Sequence, residues 1–212
     1  MNVNDLIPLI RHIVNEAAIP GDPFTVETDA AIRDFIRSAM VQLASMPSYQ
    51  GASPILNDAA SVTFSARPDG LFCAIIRQPK DLLRLVSVNL EGWVRPVYEF
   101  LPAVGTPFLQ QYSSVPGIGS GPSSPVAFIT TDGQDFIVAH AVKKAGDYNL
   151  RYIAVPEIAA DDTIPVPSLY REALAYTASA LYMQSINEYD AAKAAFDTAG
   201  SIIQTINNKT AQ

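Results

Sequence analysis

A serine between two glycines is the first feature of this chain that could carry out chemistry. Gly119-Ser120-Gly121 contains part of the G-x-S-x-G turn that holds a nucleophilic serine in some hydrolases. The glycine spacing differs from that motif, and the surrounding segment is rich in proline and serine rather than framed by a strand and a helix. The segment also lacks the Lys-Ser/Thr pair of a phosphate-binding loop. The sequence therefore predicts no catalytic residue, and a hydrolase that uses Ser120 is kept as an alternative.

The histidines and the acidic pairs do not form a recognisable metal or acid–base site. His12 falls on the polar side of a predicted helix, and His140 falls in a predicted strand of a different module. Asp161-Asp162 are neighbours in a predicted loop, while Glu188 and Asp190 are two residues apart. Neither spacing brings two carboxylates to one point on a helix. We therefore expect no metal ion and no cofactor.

The composition is that of a globular protein. The chain has 212 residues, of which 49% are hydrophobic and 17% are charged, which is enough to bury a core. No segment reaches the roughly 18 consecutive apolar residues of a membrane span. Residues 1–9 contain Asp5 and no basic cluster, so we expect no secretory signal and synthesis in the cytoplasm. The only cysteine, Cys73, lies between Phe72 and Ala74 and is interpreted as a core residue.

The net charge of −7 is concentrated at the two ends of the chain. Residues 1–50 hold six acids and three bases, and residues 157–212 hold seven acids and three bases. Residues 51–156 hold eight of each and are neutral. Binding to nucleic acid without sequence preference requires a basic surface, so this distribution argues against it. It is compatible with a surface that DNA passes without adhering.

Two arginines close to the only tryptophan are candidate interface residues. Arg84, Trp93 and Arg95 lie in and around predicted turns and strands, and Trp and Arg are the residue types that most often anchor interfaces. A basic middle module could meet the acidic helical module of a neighbouring copy in a head-to-tail contact, which closes into a ring. A core tryptophan with surface arginines explains the same residues equally well.

A long loop supplies two further interface candidates. Residues 101–125 contain five prolines, four glycines and five serines, and loops of this length are usually functional or disordered. Phe108 and Tyr112 lie in a short stretch that could form one turn of helix. We expect these apolar side chains to dock onto a partner, with a flexible connector as the alternative.

A helix near the C-terminus organises the predicted fold. Between residues 168 and 186 only Arg171 and Glu172 are charged, and apolar residues fall on nearly every side. A helix that is apolar all round is buried all round. We therefore expect a partner subunit to cover part of it, and an ordinary helical hairpin within a monomer is the alternative. The side chains predicted to form the core are Leu169, Tyr176, Leu181 and Phe196.

Apolar residues at helical spacing predict three further helices, over residues 6–17, 32–43 and 189–206. Asn4 and Thr28 are the expected N-caps of the first two. Asn187 and Glu188 mark a break before the last one. Between the helical segments, runs rich in β-forming residues alternate with turn residues and predict six or seven strands. These runs cover residues 61–64, 71–77, 82–90, 94–100, 126–130, 136–142 and 148–155.

The predicted fold class is α+β. Residues 1–50 and 157–212 are expected to pack as one α-helical bundle, because neither helical segment has another apolar surface to bury against. Residues 51–156 are expected to form a central all-β insertion module with a docking loop at residues 101–125.

Four stretches resemble a family of virion proteins from tailed phages of gut Bacteroidetes, including the crAss-like phages. The longest is residues 78–98, in which a Leu-Arg-Leu-Val strand leads to Gly92-Trp93-Val94-Arg95-Pro96. The others are residues 106–112, residues 124–127 and the proline-started segment at residues 164–173. The family often has a basic residue with Gly-x-Pro where this chain has Gly117-Ile-Gly-Ser-Gly-Pro122.

The family is similar to the head-to-tail adaptor, or tail tubular, proteins of short-tailed phages. The resemblance implies terminal helices that enclose a β insertion, and a ring of twelve copies beneath the portal protein. It implies neighbouring copies, the portal and tail or neck proteins as partners, with genomic DNA passing through a channel without specific binding. It implies a location at the portal vertex of the virion, and no catalytic residue. The alternatives are another neck or tail ring protein, a head-completion protein, or a hydrolase.

Overall fold

The structure is a computed structural model that describes residues 1–17, 29–57, 62–67, 70–110, 121–130, 136–142 and 146–210. Within these ranges the chain is a mixed α+β protein, which confirms the predicted class. It divides into two compact units. The helical unit consists of Met1–Ser53 and Val155–Gln212, and the β unit is Pro54–Ala154. The helices are α1 Val3–Ala17, α2 Asp29–Ser45, α3 Gly105–Gln110, α4 Arg171–Ser185 and α5 Tyr189–Thr210.

In the helical unit, α4 is covered by the other helices of the same chain. It packs against α1, α2 and α5, and nine of its residues are buried. The ring of Phe35 on α2 meets the ring of Tyr182 edge-on at 5.6 Å. The partner subunit that we expected over this helix is therefore not needed to bury it. The buried face is made largely of small side chains, which let the neighbouring helices approach closely.

The core of α4 uses different residues from those predicted. Leu169 is 57% exposed, because it lies in a short 3-10 helix, Ser168–Tyr170, before α4 begins. Tyr176, Leu181 and Phe196 are only half-buried. The prediction of core residues favoured large side chains. In closely packed helices, however, alanines lie at the centre of the helix–helix contact and larger residues lie at its edge. The fully buried residues of α4 include Ala173, Leu174, Ala175, Thr177, Ala178, Ser179 and Ala180.

Polar side chains and local backbone conformation explain where α1 begins and where α4 ends. Asn2, rather than the predicted Asn4, caps α1, because its Oδ1 accepts the N–H of Asn4 at 2.9 Å. Asn187 adopts a φ of 67° between α4 and α5, a left-handed conformation that asparagine tolerates and that ends a helix. The predicted break at this position is therefore confirmed. The predicted cap Thr28 lies outside the described residues.

The β unit contains two sheets within the described residues. Strands β1, β8 and β4 form one sheet in the spatial order β1-β8-β4, and the other has the order β2-β3-β7-β6-β5. All pairs are antiparallel except β5 with β6. The strands are β1 Ile55–Asn57, β2 Val62–Ala66, β3 Phe72–Arg77, β4 Leu82–Leu90, β5 Phe100–Pro102, β6 Val126–Thr130, β7 Phe136–Val142 and β8 Tyr148–Ala154.

One predicted strand, over residues 94–100, is wrong. After a turn in which Gly92 has a φ of 86°, this segment contacts β4 only through a bridge between Val88 and Val97. Pro96, which precedes the bridging residue, restricts φ to about −65°, away from the extended value of a strand, and so limits further pairing. The chain becomes a strand again at β5. The short strand β1 was not predicted.

Along the strands of the β unit, successive side chains point into different apolar clusters, because neighbouring residues of a strand face opposite sides of the sheet. Ala74 and Ile76 of β3 point into the main cluster together with Leu150 of β8. The intervening Cys73 packs with Phe128 in a second cluster. Burial raises the pKa of the Cys73 thiol to about 11, which keeps it in its neutral form. Its predicted place in the core is confirmed.

Candidate interface surfaces

The candidate residues for catalysis and metal binding either have structural roles or lie outside the described residues. Ser120 is outside them. Within the described part of the chain, no group of three or more His, Cys, Asp or Glu side chains could hold a metal ion. A search of the same residues finds no helix whose length and hydropathy would suit a bilayer crossing. His12 is exposed on α1, and the side chain of His140 on β7 is not described.

The acidic pair Asp161-Asp162 belongs to a cluster that we call the N-terminal clasp. Arg33 donates to both carboxylate oxygens of Asp162, one of them at 2.9 Å. Asn4 completes the cluster: its Oδ1 accepts from Arg33 and its Nδ2 donates to Asp162 Oδ2. The backbone N–H of Val3 donates to the carbonyl of Asp162 at 2.9 Å. The clasp therefore holds the first residues of the chain against the segment that precedes α4.

Electrostatics reinforce the clasp. The hydrogen bonds from Arg33 lower the pKa of the Asp162 carboxyl below its ordinary value, because they stabilise the ionised form. Asp162 also has a φ of 62°, a left-handed conformation that Asp and Asn tolerate better than most residues. These carboxylates thus hold the fold in place, and no acid–base pair is formed.

The β unit carries a groove that we call the Tyr98 groove. It has a volume of about 500 Å³ and is formed by the segment after Trp93 and the segment before β6. Tyr98 is 69% exposed on its wall, although it is a large aromatic residue. Arg95 and Glu99 supply one charge of each sign. The lining residues are Arg95, Pro96, Val97, Tyr98, Glu99, Leu101, Ser124, Pro125 and Val126.

Two backbone connections fix the shape of this groove. Val94 N–H donates to the carbonyl of Pro122 at 3.0 Å, so the two sides of the groove are tied together. Ser124 N–H donates to the carbonyl of Gly121 at 2.9 Å and forms a tight turn. Pro96 and Pro125 further restrict the backbone of the two walls. The groove is therefore preformed, which reduces the entropy lost when a partner binds.

The structure places the five predicted interface residues differently from one another. Arg95 is exposed in the Tyr98 groove, and Arg84 is half-buried on β4. Trp93 is 8% exposed and packs in the main core of the β unit. Phe108 lies in α3, but its side chain is not described, and Tyr112 is outside the described residues.

Several exposed apolar residues near these positions were not singled out from the sequence. Val94, Tyr98, Val104 and Leu109 are each more than 65% exposed, and all four fall within residues 94–109 of the β unit. Single exposed apolar residues are normal on a protein surface, so only Tyr98, which also lines a groove, is taken as a candidate contact. Tyr98 could have been found from its position between Pro96 and Glu99, since tyrosine is frequent at binding surfaces.

A second groove lies on the helical unit, and we call it the Leu169 groove. It has a volume of about 550 Å³ and runs between the start of α4 and the C-terminal half of α5. Leu169 and Ile202 give it an apolar floor, and Arg171, Glu172 and Lys209 give it charged edges. Arg171 is partly held in place by donating to the carbonyl of Asp5 at 2.9 Å.

Comparison with known proteins adds one positive finding. A family model described as SU10 adaptor protein matches residues 1–211. No curated protein shows significant similarity to the chain.

Proposed function

The chain belongs to the SU10 adaptor protein family, and we propose that it is the head-to-tail adaptor of a tailed phage. In this role, copies of the chain form a ring beneath the portal, link the portal to the tail, and leave a channel for the genome. The observation that carries the proposal is the family match over residues 1–211. A phage adaptor has a structural rather than a catalytic role, and its place is in the virion with other head or tail proteins.

The finer parts of the proposal come from the sequence resemblance. The ring has twelve copies, with the terminal helices as one bundle and the β unit as a central insertion in the chain. The phage belongs to the crAss-like phages of Bacteroidetes. The β unit and residues 101–125 contact neighbouring copies or tail proteins, and Arg84, Trp93, Arg95, Phe108 and Tyr112 are the proposed contact residues.

The Tyr98 groove supports a protein partner rather than a small substrate. It is shallow and is lined by prolines, an exposed tyrosine and an arginine, with a single opposite charge beside it. Tyr and Arg are enriched at protein interfaces, and a preformed apolar groove suits an inserted side chain or loop. Of the proposed contact residues whose side chains the structure describes, Arg95 lies in this groove.

The charge distribution supports passage of DNA without binding. The excess negative charge lies in the sequence ranges that build the helical unit, and these acids would repel phosphates if they lined the channel. Three arginines of this unit are paired with Asp29, Asp34 and Asp162, which further limits the basic surface. A ring in which these acids point away from the lumen would rule out this part of the proposal.

The decisive experiment is a mass measurement on the purified protein, alone and mixed with its portal protein. We expect a monomer alone and a twelve-copy ring with the portal. A ring that forms without the portal and does not bind it would instead identify a neck or tail ring protein or a head-completion protein. A hydrolase would lose an enzymatic activity on Ser120→Ala while particle assembly continued unchanged.

A further inference from the structure

Two edge strands of the β unit contain neither charged residues nor proline, which often protect sheet edges. In the described residues, β1 is the outer strand of one sheet and β2 is the outer strand of the other. The sequences of Ile55–Asn57 and Val62–Ala66 contain no charged residue and no proline. Natural proteins usually protect such edges with lysine, proline, a bulge or a covering segment, because an open edge pairs with other strands.

The two remaining sheet edges, those of β4 and β5, do have such protection. On β4, Val88 exchanges two backbone hydrogen bonds with Val97, at 3.0 and 2.8 Å, so the segment after Trp93 partly covers that edge. The edge strand β5 ends at Pro102, which has no N–H to offer. Within the described residues, the edges without a proline or a bridging segment are therefore those of β1 and β2.

The exposure of β1 shows that its side chains lack cover on both faces. Ile55 is 45% exposed and Leu56 is 50% exposed. Successive residues of a strand point to opposite faces, so neither face of β1 is packed as a core strand would be. On β2, by contrast, Val62 and Phe64 pack against the main core, while Thr63 and Ser65 face outward. A strand added beside β2 would extend this apolar row.

We infer that β1 of one copy pairs with β2 of the next copy, so that the sheets of neighbouring adaptors join across the subunit boundary. This inference rests on the ring of the proposed function. Each copy presents one β1 edge and one β2 edge, and a head-to-tail contact uses one of each. When the ring closes, no copy is left with an open edge. A pairing of β1 with β1, or of β1 with a different virion protein, would leave the β2 edges open.

The predicted contact has the chemistry of β-strand addition. Backbone hydrogen bonds supply the attraction, and side chains of alternating residues supply the register. Three residues of β1 provide only about two of these hydrogen bonds, so the contact sets the register within a larger interface. In the registers tested below, Ile55 would lie beside Val62 and Phe64 and lose its exposure to water, while Leu56 would lie on the face of Thr63 and Ser65.

Engineered disulfides test the pairing directly. The chain has one cysteine, Cys73, which is 6% exposed and serves as the internal control. Two double variants, Leu56→Cys with Thr63→Cys and Leu56→Cys with Ser65→Cys, sample two registers, since opposite residues on paired strands meet the distance limits of a disulfide. After assembly with the portal and mild oxidation, we expect at least one double variant to give a ladder of covalent multimers on a non-reducing gel. The wild type and each single variant are expected to stay monomeric on that gel.

The outcomes separate this inference from the proposed function. A native mass that shows a ring, with no ladder from either double variant, overturns the β1–β2 contact and leaves the adaptor ring intact. Covalent dimers from Leu56→Cys alone overturn it in favour of a β1–β1 contact. A wild-type protein that never forms a ring with its portal overturns both. As a second measurement, Ile55→Lys should reduce the yield of rings several-fold without changing the thermal unfolding midpoint of the monomer, because Ile55 is 45% exposed.

Discussion

Tyr49 and Gly51 lie where the chain leaves the helical unit, and they show how single residues constrain this protein. Tyr49 is 3% exposed, and its ring meets the ring of Tyr170 edge-on at 4.6 Å. Burial raises the pKa of the Tyr49 hydroxyl to about 12. The side chain of Asn207 on α5 donates to the carbonyl of Ser48 at 2.8 Å. The path of the chain is therefore fixed against the 3-10 helix and α5.

Gly51 is predicted to be intolerant of alanine. A Cβ at this position would come within 2.5 Å of the Tyr49 hydroxyl oxygen, and the buried ring has little room to move. We expect Gly51→Ala to lower the free energy of unfolding by about 1–3 kcal/mol in urea titrations. Gly200→Ala is the matched control, because Gly200 lies in α5 with open space around it. It should raise the free energy of unfolding by about 0.5–1 kcal/mol, and equal losses in both variants would contradict the steric argument.

The N-terminal clasp is predicted to make stability depend on pH. Because Arg33 lowers the pKa of Asp162 in the folded protein, the pair stabilises the fold above the ordinary value of 3.8 and this contribution is lost as the pH falls below it. Asp162→Asn keeps a residue that tolerates the positive φ while it removes the charge. We expect the variant to have a lower melting temperature at pH 7 and a smaller loss between pH 6 and pH 3.

The control for this experiment is Asp197→Asn, which removes a carboxylate from the exposed side of α5. Its melting temperature at pH 7 should stay close to that of the wild type. If Asp162→Asn behaves in the same way, the ion pair with Arg33 does not contribute to the stability of the helical unit.

At the level of elements, the contrast between α4 and the irregular segment before β5 shows what sequence patterns can predict. Helix α4 could be recognised because Arg171 and Glu172 are its only charged residues, and nine of its fifteen residues are buried. Which helices cover it depends on long-range packing, so a neighbour from the same chain could not be told from a partner subunit. Residues 94–100 contain β-forming residues, but their pairing with β4 is a single bridge between Val88 and Val97. The β propensity of single residues does not report how far such pairing extends.

The candidate surface was predicted only in part. Arg95 lies in the Tyr98 groove as an interface residue should, but Trp93 has the same sequence context and lies in the core. Sequence spacing does not report the direction of a side chain in an irregular segment, since there is no regular period from which to derive it. The groove itself depends on a hydrogen bond between Val94 and Pro122, residues that are far apart in the chain.

The small residues of α4 are predicted to be essential for its packing. Ala178 is fully buried, and a leucine there would force α4 away from the helices that cover it. We expect Ala178→Leu to lower the free energy of unfolding by about 1–3 kcal/mol or more, as overpacked cores do. Ala194→Leu on the exposed side of α5 makes the same change in volume and should stay within about 0.5 kcal/mol of the wild type. Calorimetry of the two variants would contradict the packing argument if both melted like the wild type.

At the level of the whole molecule, surfaces on both units are suited to partners. The β unit carries the Tyr98 groove and the two open edges, while the helical unit carries the Leu169 groove and the excess acidic charge. This separation fits a subunit that must contact neighbours and other virion proteins at the same time. It also means that a change in one unit should leave the fold of the other largely intact.

Tyr98→Ser is predicted to impair assembly and not folding. Tyr98 is 69% exposed, so the monomer should keep its melting temperature. If the Tyr98 groove is an interface, loss of the ring should weaken assembly with the portal by about 10- to 30-fold in a concentration series analysed by light scattering. Tyr189→Ser, which changes a tyrosine of similar exposure on the helical unit, provides the comparison. Normal assembly of Tyr98→Ser would exclude the groove from the interface.

The burial of Trp93 has a practical consequence. The chain contains one tryptophan, and it packs in the core of the β unit while the long helices all belong to the other unit. Its fluorescence emission therefore reports on the β unit alone, and the far-ultraviolet circular dichroism signal near 222 nm comes mainly from the helical unit. Recording both signals during one thermal scan gives two separate melting curves from the unmodified protein, without any attached label. Curves that coincide would mean that the two units unfold as one cooperative body.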